Sequence, residues 1–380
     1  MILVLSILAC GGDKPAAPAA APAPKAEAPP PAPKEEGAFF VWYNPGKTIY
    51  TSADGKSWAP AGALPSDLDN FYNRFAADAG GRMYVLGWKA SLYTSGDGGK
   101  SWEKVNVVSN PADTAKEYLS ICAGAANELA MVANNGRTFW STDAGQTWVE
   151  KGRIALEGGK DGNDRGRCAF SADGKTIATE ISMWNDSGYA FAESSDGGTT
   201  WTLHPSAMKN YPATGIGFTS AGIANAWGGG YGEGAVSVLA PGGATWAESA
   251  KLRGTPAPEW ARQIMATDGK NTVVVWQDAG KSKEGADVGN KVFVSTGGGK
   301  TFAESAGPVA VEPTPGTSDD YQDMWWHNGK TPGAMPAASG ATPPAPTQAV
   351  ATEPPQAEPP KAEAPKAEPQ KEMPRKDAGG

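Results

Sequence analysis

Histidine is nearly missing from this chain, with two residues in 380, and there are only three cysteines. His204 and His327 stand in no metal-ligand spacing with a cysteine or with each other, so there is no zinc-type signature and nothing to support a Ser-His-Asp triad. Asp161-Gly162-Asn163-Asp164 has the look of a cation loop, but it lacks the ordered ligands and terminal Glu of an EF-hand and reads as a turn. No metal and no cofactor is expected. A basic excess is missing too: the formal net charge is −8, which does not suit a nucleic-acid backbone. Inside the chain there is no apolar run long enough for a transmembrane helix.

Large apolar residues are almost absent from 11–36 and from 332–380, which are built from Pro, Ala, Lys and Glu. Such segments cannot bury a core and are expected to be disordered, with the first acting as a semi-rigid tether. Before it, Met1 to Ala9 is apolar and ends in Ile7-Leu8-Ala9-Cys10, which resembles the lipobox of bacterial lipoprotein signal peptides, although no positive n-region precedes it. The resemblance implies a lipid on Cys10, membrane contact through that lipid only, and, from Gly11, sorting to the outer membrane of the bacterial cell envelope.

Between these ends one short pattern returns. Ser141-Thr142-Asp143-Ala144-Gly145-Gln146-Thr147-Trp148 has counterparts from Ser52 to Trp58, Ser95 to Trp102, Ser194 to Trp201, Leu239 to Trp246 and Ser295 to Phe302. The Asp accepts hydrogen bonds from nearby backbone N–H groups, the Gly supplies positive φ, and the Trp covers the turn as the next strand begins. The pattern resembles the Asp box, or BNR repeat, of the sialidase-like β-propellers. It is similar as well to Asp-box assembly factors of photosystem II and sortilin-type receptors, a resemblance that implies protein or peptide ligands. Central positions Asp54, Asp97, Asp143, Asp196, Pro241 and Gly297 lie roughly 43 to 56 residues apart, the length of a four-stranded blade. Six copies predict an all-β, six-bladed propeller over 37–331, with a signal peptide at 1–9, a lipidated tether at 10–36 and a tail at 332–380.

Blade two is expected to supply all four strands: Tyr72 to Asp78, Arg82 to Trp88, Ser91 to Ser95 and Trp102 to Val107. Blade one lacks an innermost strand, because Phe39 to Tyr43 already reads as its second and Thr48 to Ser52 as its third. Tyr321 to His327 is therefore expected to return and close the ring, removing the open edges. Cys122 and Cys168 fall on the inner strands of blades three and four with an odd offset, so one thiol faces forward and the other backward. A disulfide and two free buried thiols both remain open, and a Cα separation beyond about 7 Å would exclude the bond.

The face opposite the repeated turns gathers the starts of the inner strands and the loops after the second strands, a default place for a ligand. Arg74, Arg167 and Arg262 read as equivalent positions in blades two, four and six, suited to a carboxylate or phosphate because guanidinium donates a planar fork. Sialidases bind their substrate's carboxylate with three arginines. The alternative is that each pairs with a carboxylate such as Asp164, Glu259 or Asp323, since buried like charges repel. Trp42, Trp88, Trp184, Trp227 and Trp276 end second strands toward the same face, as ligand-contacting rings or as interblade packing. The loops there carry Asp186, Tyr231, Glu233, Asp278, Glu284 and Asp287. A sialidase-like hydrolase would use Tyr231 with Glu233 and Asp186, but the Arg-Ile-Pro motif of that family is absent. A two-carboxylate glycosidase would need a pair about 5 to 10 Å apart. The reading favoured is a non-catalytic propeller that binds a glycan, peptide or partner protein, with the sialidase-like hydrolase as the alternative.

Overall fold

Successive side chains leave a strand on opposite faces, so alternation along the chain decides which neighbour each residue meets. In β1 (Ala38–Tyr43), Phe39 and Val41 join an apolar cluster with Ile264, Val274 and Trp276, while Phe40 and Trp42 join another with Phe75, Met83 and Tyr93. Both faces of the strand are therefore buried, each against a different sheet. The computed structural model describes residues 37–43, 47–68, 74–87, 90–107, 111, 119–133, 135–155, 167–182, 189–205, 213–227, 234–247, 250–252, 261–279, 291–305, 321–330 and 332–336. It satisfies that two-sided burial with six four-stranded antiparallel sheets in a ring, a six-bladed β-propeller.

Blade one joins β1, β2 (Thr48–Ser52) and β3 (Ala59–Ala63) to the last strand, β24 (Tyr321–His327). Blade two is β4 (Arg74–Ala77), β5 (Met83–Leu86), β6 (Leu92–Ser95) and β7 (Glu103–Lys104), and blade three is β8 (Leu119–Ala123), β9 (Leu129–Ala133), β10 (Arg137–Ser141) and β11 (Val149–Arg153). Blade four is β12 (Arg167–Phe170), β13 (Ile177–Ser182), β14 (Tyr189–Ser194) and β15 (Thr202–Pro205). Blade five is β16 (Ala213–Thr219), β17 (Gly222–Trp227), β18 (Gly234–Leu239) and β19 (Ala250–Leu252). Blade six is β20 (Ala261–Thr267), β21 (Val273–Ala279), β22 (Lys291–Ser295) and β23 (Ala303–Ser305).

The expected clasp is present. β24 pairs antiparallel with β1, setting Val41 opposite Met324 and Phe40 opposite Trp325. Trp325 then stacks on Phe75 of blade two, centroids 4.3 Å apart and planes within 6°. Blades three and four are also joined covalently, since Cys122 and Cys168 form a disulfide with Cα atoms 5.5 Å apart. The odd offset that turned one thiol forward and the other back is the geometry that brings them together.

The four turns that keep an Asp close in the same way, each carboxylate accepting backbone N–H groups that follow it. In the third, Asp143 Oδ1 accepts from Thr147 N at 2.9 Å and Oδ2 from Thr147 Oγ1 at 2.6 Å, while Ser141 Oγ accepts from Gly145 N at 2.9 Å. The Trp148 ring N–H donates to Gly145 O at 2.8 Å. Gly145 has φ 87° and lies so close to blade two that a Cβ there would meet Leu92 Cδ2 at 2.1 Å. The glycine thus serves both the turn and the blade-to-blade contact. The fifth copy, with Pro241, and the sixth, with Gly297, lack the Asp; the fifth is held by a Leu239–Trp246 bridge and by backbone bonds from Gly243 N to Ala240 O at 2.8 Å and from Ala247 N to Val238 O at 2.9 Å.

Candidate functional site at the propeller axis

Six inner strands, β24, β4, β8, β12, β16 and β20, touch one another in turn around the axis. Each contributes one apolar residue at its midpoint: Met324, Phe75, Ile121, Cys168, Ile216 and Met265. This collar divides the axial channel, because the same six residues line a cavity on either side of it. On the side of the strand starts the cavity measures about 50 Å³ and is lined by Arg74, Ser120, Arg167 and Asp323. On the side of the hairpin turns it measures about 410 Å³ and is lined by small residues together with the aromatic Phe170, Phe218, Trp325 and Trp326 and the polar Asp78, Asp173, Asp268 and Asn328.

Arg74 and Arg167 are both buried, at 5% and 9% exposure, at the first residues of β4 and β12. Arg167 Nη1 donates to Asp323 Oδ1 at 2.6 Å, and both side chains are about nine-tenths buried. Asp323 also accepts from the backbone N–H of Phe75 and of Met324, each at 2.9 Å. The carboxylate delivered by the closing strand is thus held by one guanidinium and two amides. Of the counter-charges considered for the arginines, Asp323 takes this role, while Asp164 and Glu259 lie outside the described residues.

The expected equivalence of the three arginines needs correction. Hairpin closure is marked by Asp78 N to Arg82 O (2.9 Å), Gly124 N to Glu128 O (3.0 Å), Ser171 N to Thr176 O (2.8 Å) and Asp268 N to Thr272 O (3.1 Å). Counting back equally from these donors reaches Arg74, Ser120, Arg167 and Ile264. Arg262 stands two residues nearer its strand start, about 6.6 Å farther along the axis at the usual strand rise. The reason is strand length, since β20 runs seven residues where β4 and β12 run four. The Arg262 side chain lies outside the described residues.

The tryptophans divide similarly. Trp42 is fully buried beside Phe75, with centroids 5.8 Å apart, and Trp276 is packed edge-on against Trp58 at 5.6 Å. Both are interblade packing rather than a rim for ligand, because second-strand residues have a blade on either side. Trp88 and Trp184 lie outside the described residues, as does the Trp227 side chain at the end of β17. So do Asp186, Tyr231, Glu233, Glu284, Asp287 and the Asp278 side chain, and with them the carboxylates considered for catalysis.

The wider cavity lies on the face that the sequence marked as structural. Its acids are occupied with turns: Asp78 accepts from Gly80 N (2.9 Å), Arg82 N (3.0 Å), the Tyr84 hydroxyl (2.8 Å) and, from blade three, Asn127 N (2.7 Å). Burial, with the Asp78 carboxylate beside it, pushes the Tyr84 phenol well above its ordinary range. Asp173 and Asp268 cap their own hairpins through Lys175 N and Lys270 N at 3.2 and 2.8 Å. A buried polar pair links blades four and five, with Asn225 Nδ2 donating to Glu180 Oε2 at 2.7 Å. The collar and this pair were not found by sequence reasoning; the signal was the register of the inner strands for the collar and of the second strands, β13 and β17, for the pair, which becomes readable only once the hairpin closures are known.

No protein-family model matches the chain, and no curated protein matches it. Among solved structures, YCF48 bound to D1 peptide is similar at 20% identity over 74% of this chain and 81% of that one, with a TM-score of 0.43. YCF48 from Cyanidioschyzon merolae is similar at 16% identity, 72% and 87% coverage, and a TM-score of 0.42. The GH74 xyloglucanase from Xanthomonas campestris shares 16% identity over 71% of this chain, which spans 45% of that protein, with a TM-score of 0.46.

Proposed function

We propose that the chain is a non-catalytic Asp-box binding propeller, tethered to the bacterial outer membrane through a lipid on Cys10, that holds a peptide or partner protein across the loop face. The observation that carries this reading is Asp323 seated on Arg167. A ligand carboxylate would have to displace it and leave a buried charge unpaired, at a cost of about 3–5 kcal/mol. The cavity of about 50 Å³ is also far below the roughly 300 Å³ at which small-molecule pockets begin. A sugar acid therefore does not fit at the axis as sialidase-like hydrolysis would require, and recognition falls to the loops that follow the second strands, since loops on a rigid scaffold carry function more often than the scaffold does.

The test uses the full-length chain in its native envelope, with a photo-crosslinking side chain at Trp227 or Ala279, the ends of β17 and β21 on the loop face, or at Ala126 on the turn face. The expected result is one crosslinked partner from the loop-face positions and none from Ala126. Melting with sialic and uronic acids is expected to show no shift. A shift present in the wild type and lost in the Arg74→Ala/Arg167→Ala variant would instead establish an anion site and return the glycan and hydrolase readings. Fatty-acid labelling that persists in Cys10→Ser would refute the anchor.

A further inference from the structure

The chain continues in contact with the ring past the closing strand. His327 Nε2 lies 2.8 Å from Gly81 O, and Asn328 Nδ2 donates to Ala79 O at 2.9 Å. Lys330 O sits against Gly81, where a Cβ would meet it at 2.1 Å. Beyond it, Pro332–Pro336 runs over the turn face of blades two and three, five residues past the boundary drawn from composition. Pro332 packs on Gly96, within 3.5 Å of where that residue's Cβ would be. The guanidinium of Arg82, itself 5% exposed, donates to Gly333 O, and Gln146 Nε2 donates to Pro336 O at 2.7 Å. Met335 is half-buried against the apolar cluster between blades two and three that includes Leu92, Leu129 and Trp148.

These contacts have the form of peptide recognition. A proline-containing strand lacks the N–H groups needed to extend a β-sheet, so it must be read through its carbonyls by donors on the receiving surface. Arg82 and Gln146 are such donors, one from a β4–β5 turn residue and one from the third repeated turn. They take the carbonyls three residues apart that flank the apolar anchor. Methionine suits an irregular gap between two blades because it is unbranched and polarizable. Arg82 is not needed to close its own turn, since the Asp78 hairpin closes through the Arg82 main chain; Gln146 Nε2 reaches back to Asp143 O at 3.0 Å as well as out to Pro336 O, in a turn that Thr147 also closes on Asp143.

We propose that the furrow between blades two and three on the turn face is a binding site for an extended peptide carrying Met followed by Pro, filled in cis by Gly333–Pro336 and exchangeable with the same motif in trans. It lies on the face opposite the loops and is independent of the proposed partner there. Covalent attachment gives the cis segment an effective concentration on the order of millimolar, so a free peptide competes poorly until the cis segment is loosened.

Full-length wild type and Met335→Asp are compared for binding of a fluorescent peptide of sequence 331–337, followed by anisotropy, with thermal melting as the check on folding. Met335→Asp is expected to melt close to the wild type and to bind the peptide saturably. Wild type is expected to bind at least about tenfold more weakly because its own segment occupies the furrow. Adding Gln146→Ala to Met335→Asp is expected to weaken binding again, whereas a peptide with Met and Pro exchanged for Ser and Ala does not bind. The proposal is overturned if folded Met335→Asp does not bind, or if wild type binds equally well. Collapse of the Met335→Asp melting transition would also overturn it, making the segment a fixed part of the ring.

Discussion

At the scale of the residue, the repeated turns show how one side chain substitutes for several missing backbone partners. Asp143 is buried at 3% exposure and satisfies Ser141, the Thr147 amide and the Thr147 hydroxyl together. Asp143→Ala strands those donors, so a loss of about 1–3 kcal/mol is expected in urea unfolding. Asp196, in an equivalent but exposed turn, should lose visibly less when replaced in the same way. The Thr200 hydroxyl and then the Thr200 amide hold the Asp196 carboxyl down at about 2, and the Lys56 and Ser57 amides hold Asp54 below the usual carboxylate range. Because these folded-state values are depressed, the stability they confer is complete above the unfolded carboxylate value of about 4 and is lost as pH falls toward 2. Melting followed from pH 7 to 2 should show these groups adding no pH dependence above about pH 5, where their contribution is complete, with a drop below pH 4 that is shallower in Thr200→Ala.

At the scale of the element, β24 does two jobs with one strand. Its even-numbered Met324 and odd-numbered Trp325 fill opposite faces of blade one, while Asp323 enters the axis between them and the strand start. Asp323→Ala leaves Arg167 buried without this partner, and a loss of about 3–5 kcal/mol in denaturant unfolding is expected. A strand that merely occupied an edge would tolerate the change. The inner strands carry a second tie in the Cys122–Cys168 disulfide, which spans 46 residues. Replacing both cysteines by serine is expected to cost about 2–4 kcal/mol, and wild type melted in reductant should match the variant. Strand positions were readable from alternation between turn residues, as with β1 and β2 in blade one. Strand lengths were not, and the difference between β4 and β20 moved Arg262 out of the level of Arg74 and Arg167.

At the scale of the whole molecule, the ring is closed by residues separated by most of the chain. Removing 321–336 from the full-length chain leaves β1 as an open edge and uncovers Phe75, so aggregation and loss of a cooperative melting transition are expected. Removing only 332–336 should leave the transition intact, since the closing strand and its hydrogen bonds remain; differential scanning calorimetry of the two deletions separates the outcomes. The axial collar belongs to this scale as well. Six residues of ordinary strand character, contributed one per blade, become a partition only because six strands converge on one axis.

Local pattern alone determined the turns, the blade count and the missing inner strand of blade one, because Ser, Asp, Gly and Trp act within a few residues of one another and their physics is contained in the repeat. The meeting of Cys122 with Cys168 was legible as a possibility from an odd offset between blades. Only the tertiary structure decided which arginines share a level, which tryptophans are sealed between blades, and that Asp323 is the anion on Arg167. Those outcomes depend on the rise of each strand toward a common axis and on contacts between residues more than a hundred positions apart, and no local periodicity encodes either.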